Sequence, residues 1–127
     1  MRKVIDHMDY GPIQRLFGSN AITQIIDLMS TYREFDYSIN EIAENTGIHR
    51  RSVSRAIPGL EYYGVIANVR KVDRANMYRM NQSSEMAALI CKLSKAVAEQ
   101  DVNTMMQTDT SIIEASEDRS KKEIVAS

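Results

Sequence analysis

Apolar residues recur along this chain in three helical stripes, one β-branched run and one late heptad-like row. The first stripe is Ile22, Ile25, Ile26 and Met29, at the i, i+3, i+4, i+7 spacing of a helix with one buried face. Ser19 is its expected N-cap. The second stripe is Ile39, Ile42 and Ala43. It follows Ser38-Ile39-Asn40-Glu41, a capping box in which the Ser38 and Glu41 side chains each bond the other's backbone N–H. This helix is expected to run to about Thr46 and to end at Gly47, because glycine adopts a left-handed conformation without steric cost. The third stripe is Val53, Ala56, Ile57 and Leu60. Pro58 falls inside it. Proline removes a backbone donor and crowds the carbonyl of Ser54, which predicts a kink near Ser54 to Ala56 or a fresh start at Pro58.

Two short helices on either side of a tight turn are thus predicted over residues 38–64. Ala43 is small where they cross, and Ile48 plugs the corner between them. The run VIANVRKV (65–72), a turn at Asp73-Arg74-Ala75-Asn76 and MYRMN (77–81) predict a β-hairpin. Residues 83–99 predict a further helix, capped by Ser83 or Ser84. On it Met86, Ile90, Leu93 and Val97 recur at coiled-coil spacing, and Leu89 widens the row. The row is under two heptads long, too short for a coiled coil on its own. Its expected use is a dimer interface with a second copy. Upstream, Gly11-Pro12 marks a break, and Ile13, Leu16 and Phe17 suggest a short apolar turn packed on the domain or on a partner.

The face that the third stripe leaves free carries Arg50, Arg51, Ser52, Ser54 and Arg55, with His49 at its start. Arginine can bond guanine O6 and N7 in bidentate fashion, and serine can bond base edges or phosphates. His49 lies where a phosphate would meet the helix N-terminus. No acidic residue occurs between Asn45 and Leu60, whereas a face that serves only solubility mixes signs. Arg70, Lys71, Arg74 and Arg79 fall on or near the hairpin.

At this point the stretch from about Phe17 to Asn81 resembles the winged helix-turn-helix transcriptional regulators of bacteria and archaea. LFGSNAITQIIDLMS (16–30) looks like their first helix. SINEIAENTGIHRRSVSRAIPGLEYYGVI looks like their second and third helices, with Ala43, Gly47, Ile48, Val53 and Leu60 at matching positions. The resemblance implies a mainly α fold with a small β-hairpin (α+β), in which Arg50, Arg51, Ser52, Ser54 and Arg55 face DNA and Arg74 is at the wing tip. The expected layout is an N-terminal extension (1–18), a winged helix-turn-helix DNA-binding domain (19–81), a dimerisation helix (82–100) and an acidic, flexible tail (101–127).

The net charge of −1 conceals a strong segregation. Residues 46–80 hold six Arg and one Lys against Glu61 and Asp73, a surplus of five positive charges. Residues 100–127 hold three basic and six acidic side chains. Attraction to phosphate acts through the local surface, within a Debye length of about 10 Å. The expected partners are double-stranded DNA and a second copy of the chain. The N-terminal extension and the acidic tail are two further places where another protein could dock.

Other chemistry finds little footing. His7 and His49 show no metal-ligand spacing, and there is no phosphate loop or nucleophile elbow, so no metal, cofactor or catalytic residue is expected. The single Cys91 excludes an internal disulfide and reads as a small buried hydrophobe. No apolar run suits a membrane span and the first residues do not look like a signal peptide, which makes the cytoplasm the expected location. The expected function is sequence-dependent DNA binding by a homodimeric transcriptional regulator. Its rivals are a plasmid or chromosome partition adaptor and a winged helix used only for protein contacts.

Overall fold

The computed structural model describes residues 10–109, in one body up to Lys95 and a second from Ala96 onward. The elements are α1 (Pro12–Phe17), α2 (Ala21–Thr31), α3 (Ile39–Thr46), α4 (Arg50–Tyr62), β1 (Ile66–Val72), β2 (Ala75–Met80) and α5 (Glu85–Asp109). Helices dominate, and β1 and β2 form one antiparallel hairpin. This is the winged helix-turn-helix arrangement with an added C-terminal helix.

The core gathers one face of each element. Ile25 and Met29 of α2, Ile42 of α3 and Val53 of α4 are fully buried, and Ala56, Ile57 and Leu60 join them. Ile66, Tyr78 and Met80 bring in the root of the hairpin, and Ala87 brings in α5. Burying each large aliphatic side chain contributes about 1.5–3 kcal/mol. All four apolar residues read for α4 face inward. Ile22 does not follow its stripe and is 41% exposed. Thr23 and Asp27 take inward positions on α2 beside Ile25 and Met29, so the buried face is rotated away from Ile22.

The buried carboxylate of Asp27 has a definite task. It accepts hydrogen bonds from the backbone N–H of Ile13 (2.9 Å) and Gln14 (3.0 Å) and from Gln14 Nε2 (2.9 Å). Those amides belong to the first turn of α1, which has no intrahelical acceptors for them. Asp27 thereby caps α1 from another helix. Gly11 permits the approach, since a Cβ there would come within 2.3 Å of the Asp27 carboxyl carbon. The short apolar turn expected near Ile13 is this docked helix, with Ile13 buried.

Caps follow the sequence at α3 and depart from it at α2. Ser38 and Glu41 form the reciprocal box, and Gly47 adopts φ +77°. At α2 the cap is Asn20 rather than Ser19. Asn20 accepts from Thr23 N–H, and the Thr23 hydroxyl accepts from Asn20 N–H. Ser19 instead donates to the Gln14 side chain.

Pro58 does not divide α4, which is one helix from Arg50 to Tyr62. The carbonyl that proline deprives of a partner is that of Ser54, an exposed residue that water can reach. The helix ends with Val65 N–H on Leu60 O and Gly64 N–H on Glu61 O, Gly64 having φ +77°. The hairpin turn is tighter than read from sequence. Only Asp73 (φ 49°) and Arg74 (φ 70°) form it, while Ala75 and Asn76 pair within the ladder. Two consecutive positive φ values make a turn whose twist matches that of the strands.

Helix α5 starts at Glu85, and Ser84 Oγ lies 3.4 Å from the Ala87 amide. It continues through Asp109, so the first nine residues of the acidic segment are helical. Residues 110–127 of the expected tail, and residues 1–9, lie outside the described residues. In the second body Val102, Met105 and Met106 are exposed.

Candidate nucleic-acid interface

The site is built on α4. Val53, Ala56, Ile57 and Leu60 point into the core, and helical geometry turns Arg51, Ser54 and Arg55 outward together. All three are exposed, and Ser52 is half-buried at the edge of this face. No carboxylate lies on α4 before Glu61. The result is a rigid helix with cations and hydroxyls on its open side.

His49 is the N-cap of α4, and its Nδ1 accepts from Arg51 N–H at 3.2 Å. With Nδ1 acting as acceptor, a neutral ring carries its proton on Nε2. Arg50 turns back to α3, where its Nε donates to Asn40 Oδ1. That bond ties the start of α4 to the first turn of α3. Ile48 is half-buried against the core at the corner, as its position between the helices predicts. The Gly47 turn sets this corner, and nothing lies within 4 Å of where its Cβ would be. Glycine is therefore needed there for its dihedral and not for space.

The hairpin supplies the other cations. Lys71 and Arg74 are exposed, and Arg74 occupies the tip. Arg79 is half-buried, and its Nε has no hydrogen-bond partner among the described residues. Arg70 makes a two-point ion pair with Asp36, Nε to Oδ2 at 2.7 Å and Nη2 to Oδ1 at 3.2 Å. These hydrogen bonds hold the Asp36 carboxyl below the usual carboxylate range, with the Arg70 charge adding to the effect, and they raise Arg70 in turn. Next to Asp36, Tyr37 exchanges backbone hydrogen bonds with Tyr78 of β2, at 2.8 and 2.7 Å. A one-residue third strand thus joins the hairpin to the segment before α3. Sequence reasoning passed over Asp36 and Tyr37, because a single bridging residue has no periodicity. The signal available was a carboxylate beside aromatic residues in the α2–α3 connection.

The apolar row of α5 divides between two directions. Met86 (42%), Leu89 (55%) and Leu93 (37%) are exposed. Ile90 packs on the core with Cys91, and Val97 is half-buried. Among the described residues no trio of His, Cys, Asp or Glu could hold a metal ion, and no helix is long and apolar enough to cross a membrane.

No protein-family model and no curated protein matches the chain in sequence. Its fold is similar to several solved structures. One is a mutant of MepR, a transcription regulator of the Staphylococcus aureus multidrug efflux pump MepA, bound to an oligodeoxyribonucleotide. That likeness has a TM-score of 0.61 at 13% identity, over 98% of this chain and 91% of that chain. Wild-type MarR from E. coli gives a TM-score of 0.54 at 12% identity, over 90% of this chain and 82% of that one. A third is the homodimeric winged helix-turn-helix DNA-binding domain of a possible ArsR-family transcriptional regulator from Mycobacterium bovis. It gives a TM-score of 0.50 at 20% identity, over 78% of this chain and 84% of that one. At these identities the likeness is one of fold.

Proposed function

We propose that this chain binds double-stranded DNA in a sequence-dependent way and acts as a homodimeric transcriptional regulator. One observation carries the reading: the outward side of α4 presents Arg51, Ser54 and Arg55 without a carboxylate, on a helix held by four buried side chains. A helix of this kind fits the major groove, where Arg51 and Arg55 reach guanine edges and Ser52, Ser54 and His49 reach bases or phosphates. Lys71 and Arg74 then follow the phosphate backbone from the wing, with Arg79 behind them. The fold neighbours lend support, since one was solved bound to an oligodeoxyribonucleotide and another is homodimeric. Such a protein works in the cytoplasm, where the DNA is.

The backbone at Arg74 favours the same reading. A long side chain at φ 70° costs about 1–2 kcal/mol relative to glycine, the residue such turns prefer. The strained dihedral and the exposed place at the tip support, in this reading, a use of the Arg74 charge.

For the dimer, Met86, Leu89 and Leu93 expose an apolar row on the first turns of α5, and Ile90 flanks it. A second copy would bury this row and bring two copies of α4 onto one site. Sedimentation equilibrium at tens of micromolar should show a dimer, and Leu89→Asp should shift it to monomer. A monomer in the wild type would reject the dimer and leave DNA binding open.

The test of the DNA reading is selection of bound duplexes from a random library, followed by anisotropy titration of the selected sequence. The double variant Arg51→Glu/Arg55→Glu should fold normally and lose duplex binding. Equal affinity of wild type and variant would reject the reading and leave the protein-contact alternative.

A further inference from the structure

The hairpin reaches well beyond the core that supports it. On β1 only Ile66 is buried, Ala67 is half-buried and residues 68–72 are exposed, while β2 buries Met77, Tyr78 and Met80. Past the root, two connections tie the hairpin to the segment before α3: the Tyr37–Tyr78 backbone pair and the Asp36–Arg70 ion pair. The ladder slips by one residue at Val69, since Asn68 pairs with Tyr78 while Arg70 pairs with Met77. A one-residue slip moves the following side chains to the opposite face of the strand. Arg70 is the first residue after the slip, and it meets a carboxylate 34 positions earlier in the chain at two points. The Asp36 side chain is 16% exposed and that of Arg70 is 60% exposed, so the carboxylate lies against the body while the guanidinium stays open to solvent. Arg79, on the other strand of the hairpin, adds a second positive charge near the same carboxylate.

We propose that Asp36 is a positioning residue for the wing. Through Arg70 it sets the angle of the hairpin so that the tip cation Arg74 meets the duplex backbone. Arg70 then belongs to the clasp and not to the phosphate-contact set that the sequence suggested. The inference rests on the DNA-binding reading for its purpose, but the clasp itself can be tested in the free protein.

Two measurements on the full chain decide it. In the free protein, Asp36→Asn should lower the NMR order parameters of amides 70–76 from about 0.85 towards 0.6 while the thermal midpoint holds. Unchanged order parameters would overturn the clasp, whatever DNA does.

With a selected duplex, Asp36→Asn should weaken binding about three- to tenfold and reduce the salt slope by about one, the signature of a lost phosphate contact. In an Arg74→Ala background Asp36→Asn should have no further effect, because the contact it positions is gone. Effects that simply add, or tighter binding by Asp36→Asn, would overturn the positioning role. The charge swap Asp36→Arg/Arg70→Asp should restore both binding and its dependence on Arg74. Failure of the swap beside a normal wing order would instead make Arg70 a direct phosphate contact and reject the proposal. If the wild type binds no duplex at low salt, the DNA reading falls and the purpose assigned to the clasp falls with it, while the order parameters still report on the clasp.

Discussion

Helix α4 and the hairpin both present arginines to solvent, yet they are held in different ways. Four buried side chains and a capped N-terminus fix α4, so its outward residues can move little unless the domain unfolds. The hairpin buries Ile66 of β1 and Met77, Tyr78 and Met80 of β2, while Lys71, Val72, Asp73 and Arg74 are all exposed. Beyond the buried side chains of β2, one backbone pair and one ion pair hold its direction. Stability and orientation are therefore the same property in α4 and separable properties in the wing. Substitutions behind α4 should unfold the protein, and substitutions beneath the wing should loosen it in place.

The comparison breaks most readily at Ile57. Truncating this buried residue to Ala should cost about 2–5 kcal/mol, measured by chemical denaturation. A loss below 1 kcal/mol would mean that α4 is not held by packing. On the open side of the same helix, Arg51→Ala or Arg55→Ala should leave stability unchanged. Each should weaken binding of the selected duplex by about 1–3 kcal/mol. Equal losses on selected and random duplex would make that arginine a phosphate contact and not a base reader.

At the corner that sets α4, Gly47→Ala should cost about 1–2 kcal/mol, through its left-handed dihedral alone. Because no atom lies near the added methyl, Gly47→Asn should recover part of the loss. The wing tip should behave in the opposite sense. Arg74→Gly relieves a positive φ and should raise stability by up to about 1 kcal/mol while weakening binding to all duplexes alike. A destabilised Arg74→Gly would show that the arginine has a structural partner at the tip.

The smallest effect should come from acid. The folded Asp36 carboxyl titrates below its unfolded value of about 3.9. Its contribution to stability is thus fully present above that value and fades as pH falls through the lower folded one. Wing amide signals should be constant from neutrality down to about pH 4.5 and shift only below the unfolded value. A transition near pH 6 would point to a different titrating group.

What could be read in the sequence follows the same division. The stripes of α3 and α4, the Ser38–Glu41 box and the Gly47 turn are local patterns, and all are present in the fold. Ile22 departs from its stripe because Asp27 turns inward to cap α1, and Ser19 yields the cap to the Asn20–Thr23 box. A carboxylate in an apolar helix and a Gly-Pro break 15 residues earlier carry no joint periodicity. The Asp36–Arg70 clasp spans 34 residues and depends on a ladder slip, which no local pattern reports. The sequence reading of the turn is two residues too long because Asp73 and Asn76 both look like turn residues, while the positive dihedrals fall on Asp73 and Arg74.

The most direct test is the salt dependence of duplex binding by the full chain. With three to six phosphates neutralised per subunit, log K should fall linearly with log salt at a slope of about −3 to −5 per subunit. The Arg51→Glu/Arg55→Glu variant should abolish that binding. A flat salt dependence, or no association of the wild type with any duplex at low ionic strength, would contradict the assignment of α4 and the wing to DNA.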